Sequence, residues 1–228
     1  MTQPVTLSIE AGEGVQRLVL DDPQVVIAGF TGRDERSVEA HIAELMELGV
    51  PRPDTVPAFF IVPGDLLALS PAAVSVAAPE TSGEAEPVLV RIPSGECYVG
   101  VGSDHTDRAL ETESLAASKQ ACAKPMSSTV WPLEDVLEHW DDLELVGETG
   151  PEAAAYQRST LADLRRPEEL LDLAWGAGAD PARPVVVFLG TVPLVDGFRY
   201  DSAFRAVLRD PRAGRELVCS YEINEVKA

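Results

Sequence analysis

The sequence predicts an α+β protein rich in β-strand, and three observations predict it. Short apolar runs, alternating or continuous, recur along the chain and are bounded by Gly, Pro and Asp turn signals. Helical spacing is confined to a few short stretches, of which Val38, Ile42, Leu45 and Met46 form one apolar stripe. At 228 residues, one domain suffices to bury a sizeable core.

Val5 to Ile27 alternates weakly and reads as two or three short strands of an N-terminal lobe. Gly29 to Asp34 breaks that pattern, and a helix comes next with Asp34 or Ser37 as N-cap and Gly49 as its end. Phe59 to Val62, Leu66 to Leu69 and Val74 to Ala77 read as strands, and Thr81-Ser82-Gly83 as a flexible approach to Glu84. Arg108 to Lys119 reads as a helix, Leu133 to Trp140 as a short helix and Asp141 to Val146 as a strand. Leu161 to Trp175 carries a helical stripe. Val185 to Leu189 is a continuous apolar run of the buried-strand type, and Phe204 to Leu208 and Leu217 to Ile223 close the sheet. The division expected is 1–57, lobe and helix, and 58–228, a β-rich core.

Composition narrows function. Acidic residues outnumber basic ones 38 to 18, a net charge of −20, which argues against nucleic-acid and anionic-membrane binding, since both need a basic face. The three cysteines, Cys97, Cys122 and Cys219, lack metal-type spacing, and a sparse odd count fits reduced thiols in the cytoplasm. No run is long enough to span a bilayer as a helix.

The chemistry concentrates between Glu84 and Lys124. Glu84 and Glu86 alternate onto one face of an extended chain. Val88 to Ile92, a Pro93-Ser94-Gly95 turn and Cys97 to Val101 then form a hairpin that returns Asp104 to the level of both glutamates. Three converging carboxylates repel unless a cation lies between them. An all-oxygen set suits Mg2+, Mn2+ or Ca2+. His105 is a candidate fourth ligand or proton donor, and the preferred reading is a neighbour that points away, since adjacent strand residues alternate faces. Ser118-Lys119 is set aside as a dyad because neighbours on a helix do not face each other. Cys122 reads as a buried packing residue, and His139 as a packing or capping residue.

Glu84-x-Glu86, then Asp104-His-Thr-Asp-Arg108, then Lys124 before a polar turn resembles the fumarylacetoacetate hydrolase superfamily, and within it a small bacterial branch. The resemblance covers nearly the whole chain. It implies a β-rich mixed-sheet roll with short peripheral helices, a Mg2+ site and a homodimer. It also gives roles. The superfamily's His-x-x-Glu pair matches His41 and Glu44, three apart on their helix, which would activate a water beside the metal. Lys124 would stabilise oxyanion charge. Arg33 in the Gly-Arg loop, Arg108, Gln157 in the Gln-x-x-Thr segment and Thr191 of Gly190-Thr191 would bind substrate.

The expected activity is therefore metal-dependent cleavage of a carbon–carbon bond beside a keto group in a small acylpyruvate-like or diketo acid. The same parts also serve decarboxylation, hydration or isomerisation of a 2-oxo acid. A non-catalytic relative is the third alternative, and the intact set of acids, His-Glu pair and lysine argues against it.

Overall fold

The computed structural model describes residues 4–12 and 14–226. Seventeen strands and five short helices among these residues form a β-rich, mixed-sheet α+β roll with peripheral helices. The strands that matter for the site are β1 (Val5–Glu10), β2 (Val15–Leu20), β3 (Gln24–Gly29), β4 (Ala58–Val62), β5 (Leu67–Leu69), β6 (Ala72–Val76), β7 (Thr81–Ser82), β8 (Ala85–Arg91), β9 (Cys97–Ser103), β10 (Thr106–Asp107), β11 (Lys124–Met126) and β12 (Thr129–Pro132). After them come β13 (Glu144–Thr149), β14 (Ala154–Thr160), β15 (Val185–Phe188), β16 (Ala203–Asp210) and β17 (Arg215–Glu225).

The large sheet runs β2-β1-β12-β9-β8-β15-β3-β4, with β11 joining β9 to β5. A second sheet runs β14-β13-β16-β17-β6. The continuous apolar strands divide their side chains between two cores by the two-residue period of a strand. Val88 and Val90, with Val186 and Phe188, join Leu7, Leu20 and Ile27 inside the curl of the large sheet. Leu89, Val185 and Val187 face the other way and pack against Leu145, Ala206, Leu208 and Tyr221 of the second sheet. Burial on both faces explains why β8 and β15 show no polar alternation.

Helix α1 (Glu35–Glu47) begins at Asp34, whose carboxylate accepts from the backbone N–H groups of Arg36 and Ser37. It buries only Val38 and Ile42, so a thin stripe holds it. Gly49, at φ +93°, ends it, a left-handed position that costs glycine least.

The structure corrects four local expectations. Residues 108–119 are not one helix but two, α2 (Arg108–Glu111) and α3 (Leu115–Gln120). The chain breaks because Ser114 Oγ accepts from Ala117 N–H and Thr112 Oγ1 donates to the Ala109 carbonyl, local bonds that compete with helix continuation. Residues 140–142 form a 3-10 turn that buries Trp140, so the strand begins at Glu144 rather than Asp141. Leu161–Asp163 is likewise a 3-10 turn, and after α4 (Glu134–Leu137) the next helix, α5 (Pro167–Gly176), starts later than expected, with Pro167 in its first turn. The approach to Glu84 is not loose: Thr81 and Ser82 are buried in β7, which pairs with β10. A side chain at Gly83 would come within 2.6 Å of the Phe204 ring.

Candidate metal centre

The β8–β9 hairpin sets the centre. Its register pairs Ala85 with Ser103 and Glu86 with Gly102. Just beyond the paired residues, Asp104 N–H donates to the Glu84 carbonyl at 3.1 Å. Oxygens of Glu84, Glu86 and Asp104 thereby lie within 4.8 Å of one another.

Charge on the cluster is not left bare. Lys119 Nζ lies 3.0 Å from Glu84 Oε2, 2.6 Å from Asp104 Oδ2 and 3.8 Å from Glu111 Oε1. Lys124 Nζ, with no solvent exposure, lies 2.8 Å from Asp104 Oδ1 and donates to the His105 carbonyl at 2.7 Å. The Arg108 guanidinium meets Glu84 Oε1 at 3.0 Å and Glu111 Oε2 at 2.8 Å, and donates to Ser82 Oγ. Its face is covered by the Phe198 ring at 4.5 Å, a cation–π contact. Protein cations thus meet the requirement that converging acids have counter-charge, and no external ion is needed for that alone.

The groups respond as their surroundings dictate. Burial alone would raise the Glu84 carboxyl, but Lys119 and Arg108 outweigh it and hold it well below the usual carboxylate range. Burial pulls Lys119 down, and Asp104, Glu84 and Glu111 more than reverse it, so its ammonium is held above the ordinary lysine range. Glu86 goes the other way. Burial first, then Asp104 and Glu84, push it well above its ordinary value. His105 is pushed down to about 3, by burial first and then by Lys124 and Arg108.

The residues fit a divalent cation. The donors are all oxygen. Both Asp104 oxygens are fully buried and lack a hydrogen-bond donor in good alignment, although two ammonium groups lie close. Glu86, with raised proton affinity, is the group that a nearby cation would ionise.

The supporting shell is built from Gly190, Thr191 and Gln157. Gly190 N–H donates to Glu86 Oε2 at 2.9 Å. Gly190 sits at φ +96°, and a Cβ there would collide with Thr31 Oγ1. Gln157 Oε1 accepts from Ala85 N–H at 2.8 Å, while its Nε2 donates to Thr191 Oγ1 at 2.6 Å and to the Val192 carbonyl at 2.7 Å. Thr191 Oγ1 in turn donates to the Ala85 carbonyl. Both residues therefore clamp the strand between Glu84 and Glu86. Behind them, Tyr221 Oη bridges Ser103 Oγ at 2.8 Å and His105 Nδ1 at 2.9 Å, and Ser103 Oγ accepts from Glu84 N–H. His105 bonds to Tyr221, and it lies with Asp104 in the link between β9 and β10 rather than on a strand.

Not every expected residue gathers there. His41 and Glu44 lie on the exposed face of α1, 60% and 77% exposed, with Nδ1 and Oε2 3.8 Å apart. No hydrogen bond or ion pair among the described residues links them to the acids. Arg33 donates to Asp141 at 2.7 and 2.8 Å and to the Leu164 carbonyl, a partly exposed cluster of its own. His139 bonds to Asp210 at 3.0 Å, and Cys122 is buried. Two members of the centre were missed: sequence reasoning set Lys119 aside together with Ser118, and it did not single out Glu111. The signal for Lys119 was its place four residues after Leu115, on the buried side of α3; a lysine there needs a buried acid.

Solved structures of the same fold cover nearly all of this chain. A 5-carboxymethyl-2-hydroxymuconate delta-isomerase from Mycobacterium smegmatis shares 14% identity at a TM-score of 0.66, covering 98% of this chain and 94% of its own. A candidate fumarylpyruvate hydrolase from Burkholderia cenocepacia shares 14% identity at 0.65, covering 100% and 94%. A 2-keto-3-deoxy-D-arabinonate dehydratase complexed with magnesium and 2,5-dioxopentanoate shares 15% identity at 0.65, covering 93% and 77%. A search of curated proteins gives no match. Residues 28–221 match the family described as "Protein of unknown function (DUF2848)". The chain belongs to that family, and its fold is the fumarylacetoacetate hydrolase type.

Proposed function

We propose that the chain is a divalent-cation-dependent enzyme acting on a small 2-oxo or diketo acid, and that it cleaves the carbon–carbon bond beside the keto group by hydrolysis. The observation that carries the reading is the convergence of Glu84, Glu86 and Asp104 within 4.8 Å, among buried cations. These three would hold the ion, which when bound supplies Lewis-acid polarisation to a keto acid chelated through neighbouring oxygens. Lys124 and Lys119, both paired with Asp104, would set positive charge beside the substrate oxygens where negative charge develops. Gln157 and Thr191 keep the glutamate strand in place, and Arg108 holds Glu84. His41 would take a proton from water, with Glu44 stabilising the imidazolium. That step requires α1 to close over the centre, and its thin buried stripe makes the helix the element suited to move. The fold neighbours named as hydrolase, isomerase and dehydratase support keto-acid chemistry in general.

A second reading is isomerisation or dehydration of a 2-oxo acid without attack by water. The observation in its favour is that His41 and Glu44 make no contact with the acids. Assays with Mg2+ or Mn2+ on an acylpyruvate, an unsaturated 2-oxo acid and a 2-keto-3-deoxy sugar acid separate the two. Under the hydrolytic reading, His41→Ala lowers turnover on the acylpyruvate by about a hundredfold or more while the metal Kd stays unchanged. Turnover of only the other two substrates, indifferent to His41, decides for the second reading. No turnover of any, together with no metal binding, removes both.

A further inference from the structure

We infer that the centre takes up its divalent cation and a singly charged 2-oxo acid cooperatively, and that Lys124 enforces this coupling as a built-in cation. The inference rests on the keto-acid reading above. Four carboxylates, Glu84, Glu86, Asp104 and Glu111, are gathered with three cations, Arg108, Lys119 and Lys124. The group therefore carries at most one negative charge in excess. Its side chains are buried, from 15% exposed at Glu84 to none at Lys124. An unbalanced charge in such a place is costly.

A divalent cation entering alone turns this near-balance into a net positive charge. A ligand with one carboxylate cancels that excess while chelating through its carboxylate and keto oxygens. Each then strengthens the other, and the coupling is reciprocal by linkage.

Lys124 is the fixed member. Its strand β11 is held on both sides, pairing Lys124 with Leu67 of β5 and Met126 with Gly102 of β9. Its ammonium has one carboxylate oxygen and one carbonyl as partners, and the side chain has no solvent exposure. Lys119 instead bridges several acids on a short helix and can redistribute among them. The charge that a lone metal cannot displace is therefore that of Lys124.

The test is calorimetric titration of the full chain with Mn2+, with and without saturating oxamate, a singly charged 2-oxo acid isostere. The expected result is at least a roughly tenfold tighter Mn2+ Kd with oxamate, and the same factor for oxamate with Mn2+. Lys124→Met removes one positive charge and should make Mn2+ alone bind about tenfold tighter, while the oxamate enhancement shrinks. If this variant does not fold, the wild-type cycle still decides the coupling, and Lys124→Gln repeats the charge test. Equal Mn2+ affinity with and without oxamate overturns the coupling and leaves the metal reading standing. Unchanged Mn2+ affinity in a folded Lys124 variant overturns that residue's role. Absence of Mn2+ binding under both conditions overturns the metal reading, and the coupling with it.

Discussion

Lys119 and Asp104 make the shortest ion pair of the centre, 2.6 Å from Nζ to Oδ2, with the side chains 8% and 1% exposed. The same ammonium reaches Glu84, so one cation joins the two ends of the hairpin. Lys119→Met leaves those buried acids short of a partner and should lower stability by about 3–5 kcal/mol, the usual cost of breaking a buried pair. Added Mn2+ should restore part of the lost melting temperature, because an ion that binds only the folded chain stabilises it. Thermal melts at several Mn2+ concentrations check this; an unchanged melting temperature would remove Lys119 from the centre.

Glu86 predicts the opposite response. Its carboxyl is raised well above 4.5, chiefly by burial and then by Asp104 and Glu84. A raised acid binds its proton more tightly when folded. Its contribution is therefore full below about pH 4.5 and is lost as pH rises through the raised value. Metal-free Glu86→Gln should melt at a higher temperature than the wild type at neutral pH, since the amide oxygen still accepts from Gly190. The same variant should bind Mn2+ far more weakly. Equal melting temperatures in metal-free buffer would contradict the account.

Acid should act on Glu84 with the other sign. Lys119 and Arg108 overcome burial and hold this carboxyl low, so its contribution is present above the ordinary carboxylate value and lost as pH falls through the depressed one. Glu84→Gln should therefore flatten the loss of stability below about pH 4, measured by urea unfolding across the range.

Gln157 spends every donor and acceptor of its amide on the chain, so replacing it strands buried backbone groups. Gln157→Leu should cost about 1–3 kcal/mol for each partner left unsatisfied, and it should weaken Mn2+ binding by displacing the glutamate strand. Thr191→Val should do less, because it removes a single hydroxyl. A Gln157 variant that keeps stability and metal affinity but loses substrate affinity would show direct substrate contact instead.

The cysteines give a simple probe. Burial pushes Cys122 up to about 11 and raises Cys219 as well, while Cys97 is only partly buried. A thiol reagent at neutral pH should label Cys97 alone in the folded chain, with the other two reacting on unfolding. Rapid labelling of Cys219 in native buffer would show that the second sheet opens.

The sequence made some features legible and hid others for physical reasons. The hairpin from Glu84 to Asp104 could be read because alternation and a Pro-Ser-Gly turn fix register over short range. The roll and its buried strands were equally visible in Val185 to Leu189. Lys119 was weighed only beside Ser118, and its place four residues after Leu115 on the buried side of α3 was not used. Gln157 and Thr191 were found through resemblance, but their clamp on Ala85 depends on contacts across 72 and 106 residues, which no local pattern carries. The break at Ser114 depended on capping bonds that compete closely with helix continuation. Glu86 and Asp104 could be grouped from spacing; of their protein counter-cations, Arg108 and Lys124 came through resemblance and Lys119 did not.

The three acids, Glu111 and all three cations lie between residues 84 and 124, while the clamp, together with Gly190, Phe198 and Tyr221, arrives from far along the chain. Short loops close at little entropic cost. Early in folding, this stretch can bring acid and base together before the distant strands β15 and β17 dock. The chain thus assembles its buried cluster of four acids and three cations as a local, nearly charge-balanced unit, and the surrounding β-layers have only to enclose it.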